Sequence, residues 1–286
     1  MEKRKNPKLD KILYYTLISF FAVVFLASAI YIGNYFIQSH RSSSAYEDLA
    51  HIKESIANLT KPTTGTTEST QPSTAPTTPS TTPSDPTEST EPVDPAILPE
   101  YQPFYQMNTD MVGWITVPDT KINYPVMQTP NNKDYYLKRN FNKLWSDWGA
   151  IYAREACDVN RPSDNVTLYG HHMKDGSMFA GLDKFKQESF WKTHQTFTFD
   201  TLYEHHTYQI WAVFKTSAIL SEGFPYHQFS DAASKEEFDQ YVSTIKSMDF
   251  YDTGITPQYG DKLLCLSTCE YTLNDGRFVV MAMRIS

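Results

Sequence analysis

Leu263-Leu-Cys-Leu-Ser-Thr-Cys269, followed by Arg277-Phe-Val-Val-Met-Ala-Met-Arg284, decides how this chain folds. The first run is an apolar strand that ends on a cysteine. The second opens on an arginine, after a step that contains the turn signal Asn274-Asp275-Gly276. A hairpin of this shape holds Cys269 and Arg277 side by side at one end of a sheet. Well upstream, another apolar strand runs out into Leu168-Tyr-Gly-His-His172. A thiol, a guanidinium and an imidazole thus each stand just past a strand end, a set able to support acyl transfer through sulfur.

The bulk composition narrows the classes. A chain of 286 residues allows one or two domains. The net charge of −8 lacks the basic footprint of a nucleic-acid binder. Aromatic residues make up 14 % of the chain, which suits a β-rich core of large side chains. The cysteines are Cys157, Cys265 and Cys269, too few and odd in number for a disulfide framework. Cys265 and Cys269 cannot pair within one extended strand. Four residues span roughly 13 Å, whereas a disulfide needs Cα atoms within about 7 Å.

Taken in order, residues 1–11 form a basic tail with Lys3, Arg4, Lys5, Lys8 and Lys11. Residues 12–37 carry no charge and exceed the roughly 20 residues that a helix needs to cross a bilayer. The basic flank places the N-terminus in the cytoplasm and the remainder outside. A cleaved signal peptide is the competing reading, because Ala27-Ser-Ala29 resembles a cleavage site. The apolar run continues well beyond it, which favours an uncleaved anchor. Within 38–60, Tyr46, Leu49, Ile52, Ile56 and Leu59 have helical spacing and predict a juxtamembrane helix. Residues 61–96 are a Thr-, Pro- and Ser-rich linker whose composition cannot bury a core, and the expectation is a tether that holds the next domain off the membrane.

Residues 97–286 form the folded domain. Strands are expected at 113–117, 122–127, 150–153, 166–169, 196–199, 208–214, 262–267 and 277–285, which predicts a mainly β barrel or sandwich. An N-terminal helix near 99–107 and short helices near 133–141 and 177–185 complete it. One longer helix lies between the sixth and seventh strands. Phe238, Tyr241, Val242, Ile245 and Met248 form its apolar stripe, and Ser234 with Glu237 fits a capping box.

Each candidate site residue has a plainer alternative. Cys265 sits mid-strand and fits a buried structural thiol. Cys269 stands where the apolar run gives way to Glu270-Tyr271, so it is more accessible, and a nearby cation would raise its thiolate fraction. Arg277 is either a strand-edge charge or a fixed cation beside developing negative charge. His171 and His172 follow a strand and a glycine, whereas His194, His205, His206 and His227 read as surface loops or turns. No spacing of metal ligands accompanies them, so neither a metal nor another cofactor is expected.

The order His171, then Leu266-Ser-Thr-Cys269, then Arg277 resembles the sortases, membrane-anchored cysteine transpeptidases of Gram-positive bacteria, and most of all their class B. Asp110-Met-Val-Gly-Trp-Ile115, Ile122-Asn-Tyr-Pro-Val-Met-Gln128, Asp134-Tyr-Tyr-Leu137 and Leu168-Tyr-Gly-His-His-Met-Lys-Asp-Gly-Ser-Met-Phe179 carry the likeness too. One departure is Cys265, which stands where the family signature has threonine. The resemblance implies an eight-stranded sortase barrel after a single transmembrane helix, with the catalytic domain outside the cell. It implies His171, Cys269 and Arg277 as catalytic residues, and Ser267, Thr268, Glu270 (through its backbone N–H) and His172 as substrate or oxyanion contacts. The implied reaction cleaves an NPxTN-like or LPxTG-like sorting signal of secreted proteins and transfers the product to a peptidoglycan amine. A pilin-polymerising enzyme differs in its acceptor alone. A catalytically silent, tethered barrel that binds wall or peptide ligands is the alternative from another class.

Overall fold

The computed structural model describes residues 7–60, 95–219 and 221–286. The linker expected over 61–96 lies almost wholly outside them. The alternating apolar runs become β1 (Met111–Thr116), β2 (Asn123–Met127), β3 (Ile151–Ala153), β4 (Asn165–Tyr169), β5 (Thr196–Thr201), β6 (Thr207–Ser217), β7 (Leu263–Glu270) and β8 (Gly276–Arg284). They close into one barrel in the order β1-β2-β3-β4-β7-β8-β6-β5, with β5 returning to β1. Closure removes the sheet edges that an open sheet would leave unpaired. The eight strands fall within a few residues of the stretches expected from the sequence. Of the two architectures the pattern allowed, the structure is the barrel.

Two strand pairs are parallel, β2 with β3 and β4 with β7. Parallel pairing needs a long crossover. For β4 and β7 it consists of β5, β6 and two helices that follow α1 (Pro7–Thr60) and α2 (Gln102–Met107) in the chain, the short α3 (Glu188–Thr193) and the longer α4 (Lys235–Lys246). α4 starts at Ser234, whose Oγ accepts from the Glu237 N–H at 3.3 Å, while Glu237 Oε2 accepts from the Ala233 N–H at 2.8 Å. Its buried stripe of Phe238, Tyr241, Val242 and Ile245 packs outside the barrel on Trp211, Phe214, Cys265 and Val279. Each such side chain contributes roughly 1.5–3 kcal/mol by leaving water. Leu264, Leu266, Phe278 and Val280 take the opposite face and fill the interior. Cys265 therefore faces α4, and Cys269, on the same side of β7, faces outward at the barrel's end.

Beyond Gln209, β6 pairs with β8 on one side, and the other side is met by residues 249–253. The Val213 N–H donates to Asp249 Oδ1 at 2.7 Å, and the Phe250 N–H donates to the Val213 carbonyl at 2.8 Å. Burial pushes the Asp249 carboxyl up to about 6 against the pull of these N–H groups and Lys246. A carboxyl with a raised pKa favours the native state below its unfolded value, and that contribution is lost as pH rises through about 6. Asp249→Asn keeps the acceptor for Val213 and removes the charge. We expect a Tm gain of roughly 2–6 °C at pH 7.5, fading towards pH 4, in thermal scans. An equal gain at both ends would rule out the charge as its cause.

The N-terminal helix α1 is continuous from Pro7 to Thr60. Its first half is apolar, exposed, and long enough to cross a membrane. Its second half lies on the barrel beside β2. Tyr46 and Leu49 are buried there, and the Tyr46 hydroxyl donates to the Gly149 carbonyl at 2.9 Å. Lys53 Nζ sits 4.9 Å from the ring centre of Trp114. The helical spacing read over 45–59 thus belongs to one long helix that packs on the barrel.

Candidate active site

The parallel register of β4 and β7 builds the site. Tyr169 is paired with Ser267, and the Gly170 N–H donates to the Ser267 carbonyl at 3.1 Å. Two residues further along each chain stand His171 and Cys269. Neighbouring strands run about 4.8 Å apart, so the register carries an imidazole and a thiol to the same end of adjacent strands. Gly170 is required for this path. A Cβ there would lie 2.5 Å from Ile151 Cδ1 and 2.7 Å from the Phe179 ring.

Arg277 comes from the other neighbour of β7. Cys269 and Arg277 are direct partners in the antiparallel β7–β8 ladder. The turn between them is fixed by Glu270, whose Oε2 accepts from the N–H and hydroxyl of Thr272 at 2.9 and 2.8 Å and from the Leu273 N–H at 3.2 Å. Burial alone would raise the Glu270 pKa, but these bonds and Lys215 outweigh it and hold the carboxyl below its ordinary range. Arg277 Nη1 donates to Asp275 Oδ1 at 2.8 Å and to the Gly276 carbonyl at 2.9 Å. Burial disfavours its charge, yet Asp275 and then Cys269 more than restore it, so the guanidinium stays charged. The bonds described for Arg277 all use Nη1, which leaves Nε and Nη2 for a ligand.

His171, Cys269, Arg277, Ser267 and Thr268 line one cleft of about 290 Å³. Its apolar walls are Leu137, Tyr152, Tyr169 and Tyr226. The Ser267 and Tyr226 hydroxyls lie 2.6 Å apart, and Cys269 is half-buried. Thr268 sits on the interior side of β7, its hydroxyl buried without a partner among the described residues. His171 Nε2 lies 2.7 Å from the Leu137 carbonyl. A carbonyl can only accept, so Nε2 carries a proton, and Nδ1 is the nitrogen left for proton exchange. Burial, aided by Lys138, lowers the His171 pKa more than the Leu137 bond raises it. The ring is mainly neutral near pH 7.

The structure does not bring every expected residue to the cleft. His172 turns the other way, its Nε2 2.9 Å from Asp183 Oδ2 and its ring edge-on to Tyr271 at 5.5 Å. Adjacent residues at a strand end point to opposite sides, which accounts for this. The Glu270 side chain serves the turn. Conversely, His227 and Tyr226 line the cleft although the sequence marked neither as part of a site. Burial and then the neighbouring Arg154, Lys133 and Arg277 depress the His227 pKa, so it too is largely neutral. Among the described residues, no group of side chains could hold a metal ion.

Residues 115–285 match the family profile described as Sortase domain. Sortase B of Listeria monocytogenes is 31 % identical over 201 residues, which cover 69 % of this chain and 79 % of that protein. Sortase B of Staphylococcus aureus is 28 % identical over 188 residues, covering 65 % and 75 %. The fold also matches a crystal structure of sortase B from B. anthracis in complex with AAEK1, with a TM-score of 0.66 and 27 % identity, over 88 % of this chain and 99 % of that one.

Proposed function

This chain belongs to the sortase family, with class B sortases among its relatives, and from that premise we propose that it cleaves the C-terminal sorting signal of secreted proteins through a thioester on Cys269 and passes them to a peptidoglycan amine. The family's members are cysteine transpeptidases. The observation that carries the residue assignment is the shared cleft of Cys269, His171 and Arg277, assembled from three neighbouring strands.

The reaction has two acyl transfers. Cys269 Sγ attacks the threonine carbonyl of the signal, and its proton goes to His171 Nδ1. The tetrahedral intermediate then expels the downstream amine, which takes that proton as the C–N bond breaks. The acceptor amine attacks the thioester, Cys269 leaves as thiolate, and the proton lost by the amine restores the thiol. Arg277 Nη2 and Nε face the oxyanion and the peptide backbone. Ser267 and Thr268 border the same cleft, and the backbone N–H of Glu270, the residue after the nucleophile, is the second donor in this reading. Walls of Leu137 and tyrosines suit a proline-containing segment such as Asn-Pro-x-Thr-Asn or Leu-Pro-x-Thr-Gly. The basic cluster on the N-terminal side of the uncharged run 12–37 favours a cytoplasmic N-terminus, with the barrel on the outer face where such substrates emerge.

The test is a thioester trap. The protein is incubated with a panel of such peptides, and the adduct is located by fragmentation of the tryptic peptide 263–277, which contains both Cys265 and Cys269. An acyl mass on Cys269 supports the proposal and names the preferred signal. No adduct with any peptide on folded protein, or an adduct on Cys265, defeats it. Arg277→Lys gives a separate expectation. Lysine has one ammonium where arginine has a planar fork, so it cannot both hold the Asp275 turn and reach the substrate. We expect kcat/KM for peptide cleavage to fall about 10²-fold with the melting temperature nearly unchanged. Near-native turnover would remove Arg277 from the chemistry.

A further inference from the structure

We propose that Leu144 and Trp145 enter the interfacial layer of the bilayer and seat the barrel on the membrane surface beside α1. The proposal rests on α1 spanning the membrane. The uncharged run 12–37 is longer than the roughly 20 residues that fill the hydrocarbon core, so its last turn stands at headgroup level. The barrel already meets the helix at that level. Tyr35 packs 5.6 Å from the ring of Trp148, and the Ser39 hydroxyl donates to Asp175 Oδ2 at 2.5 Å. The loop that carries Trp148 also presents Leu144, 64 % exposed, and Trp145, 72 % exposed. A cleft of about 410 Å³ lies between them and α1, with Gln38 and Arg41 on the helix side.

The two side chains are held outward by a built turn. Arg139 and Trp145 pair across it, Asn140 Oδ1 accepts from the N–H groups of Asn142 and Leu144 at 3.0 and 3.1 Å, and Lys143 takes a left-handed φ of 62°. Fixing an adjacent leucine and tryptophan in water wastes apolar surface, whereas at a membrane interface both find a matching medium. The occupant is therefore the headgroup and upper acyl region of the bilayer, continuous with the span itself. The drive is apolar, so neutral lipid suffices. The Ser146 N–H donates to the Lys138 carbonyl at 3.0 Å, next to Leu137, which holds His171. The membrane-seated turn thus lies roughly 12 Å along the backbone from the site's rim.

The experiment uses the full chain in zwitterionic vesicles, with a polarity-sensitive fluorophore on cysteines introduced one at a time into a Cys269→Ala background, whose remaining Cys157 and Cys265 are buried. Positions are Leu144→Cys, Trp145→Cys, Ile18→Cys within the span, and Glu236→Cys on α4, which packs on the β6–β8 wall across the barrel from β2. We expect labels at 144 and 145 to be quenched by iodide about three-fold less than at 236, and to be quenched by lipids carrying a nitroxide near the headgroup. The label at 18 should respond to a nitroxide near the chain end. Trp145→Asp should restore iodide access at 144. An interior label at 18 with labels at 144 and 145 as iodide-accessible as at 236 overturns the seating alone. A label at 18 outside the bilayer overturns the span and the seating together.

Discussion

Cys269→Ala is expected to bring acyl transfer down to background, a loss of at least about 10⁴-fold, with no acyl-enzyme in a mass trap. The same change at Cys265 should leave kcat/KM within about two-fold while lowering stability by about 1–2 kcal/mol through a small cavity against α4. The contrast follows from position. Both thiols lie on the same side of β7, but Cys265 is sealed under Trp211, Tyr226 and Tyr241 and is fully buried. Burial drives its pKa far above the ordinary thiol range, so it has essentially no thiolate to offer. Cys269 stands past the end of that cover, beside Arg277, in an open cleft. Cys157 is also buried, its Sγ 3.5 Å from the Asn165 carbonyl. A single turnover assay on the two variants settles the matter. Full loss in Cys265→Ala with retained activity in Cys269→Ala would reverse the assignment.

Much of this site is legible in the sequence because strand ends are. Leu168-Tyr-Gly-His171 and Leu266-Ser-Thr-Cys269 both show an apolar run breaking into polar residues, and Asn274-Asp-Gly276 announces the hairpin that delivers Arg277. What no local pattern shows is that β4 and β7 are parallel neighbours. That pairing spans a crossover of nearly a hundred residues, yet it is what sets His171 opposite Cys269. The alternation of β7 was visible, but not which face is the barrel interior, since Leu264 and Cys265 are equally apolar and equally buried. Strand parity applied past Tyr169 would have turned His172 away from His171. Tyr226 and His227 come from a single 3-10 turn after β6, Tyr226–Gln228, which is too short to show a period. The cluster Phe224-Pro-Tyr-His227 is their one local sign, and it names no partner. Likewise, Tyr46 and Leu49 show helical spacing without saying that the surface they cover is this same chain's β2.

Replacing His171 with alanine should cut kcat/KM for peptide cleavage by about 10³-fold, and the size of the loss should depend on the leaving group. The amine of a peptide cannot depart without a proton. The Leu137 carbonyl holds Nε2–H, so the proton that reaches the amine must travel through Nδ1. An activated ester leaves unprotonated, and with such a substrate the deficit of His171→Ala should shrink to roughly 10-fold. A purely structural role for His171 would cost both substrates equally, and that outcome would sink the proton-transfer assignment. The pH behaviour is a second check. Burial holds the folded pKa of His171 below its ordinary value of 6.5, so the native ring binds its proton less firmly than the unfolded chain does. The stability it contributes is complete above 6.5 and is lost as pH falls through the lower, folded value. An NMR titration of the His171 ring in Cys269→Ala protein should find its midpoint below 6.5, and a midpoint above it would mean that the cleft is wetter than its tyrosine walls allow.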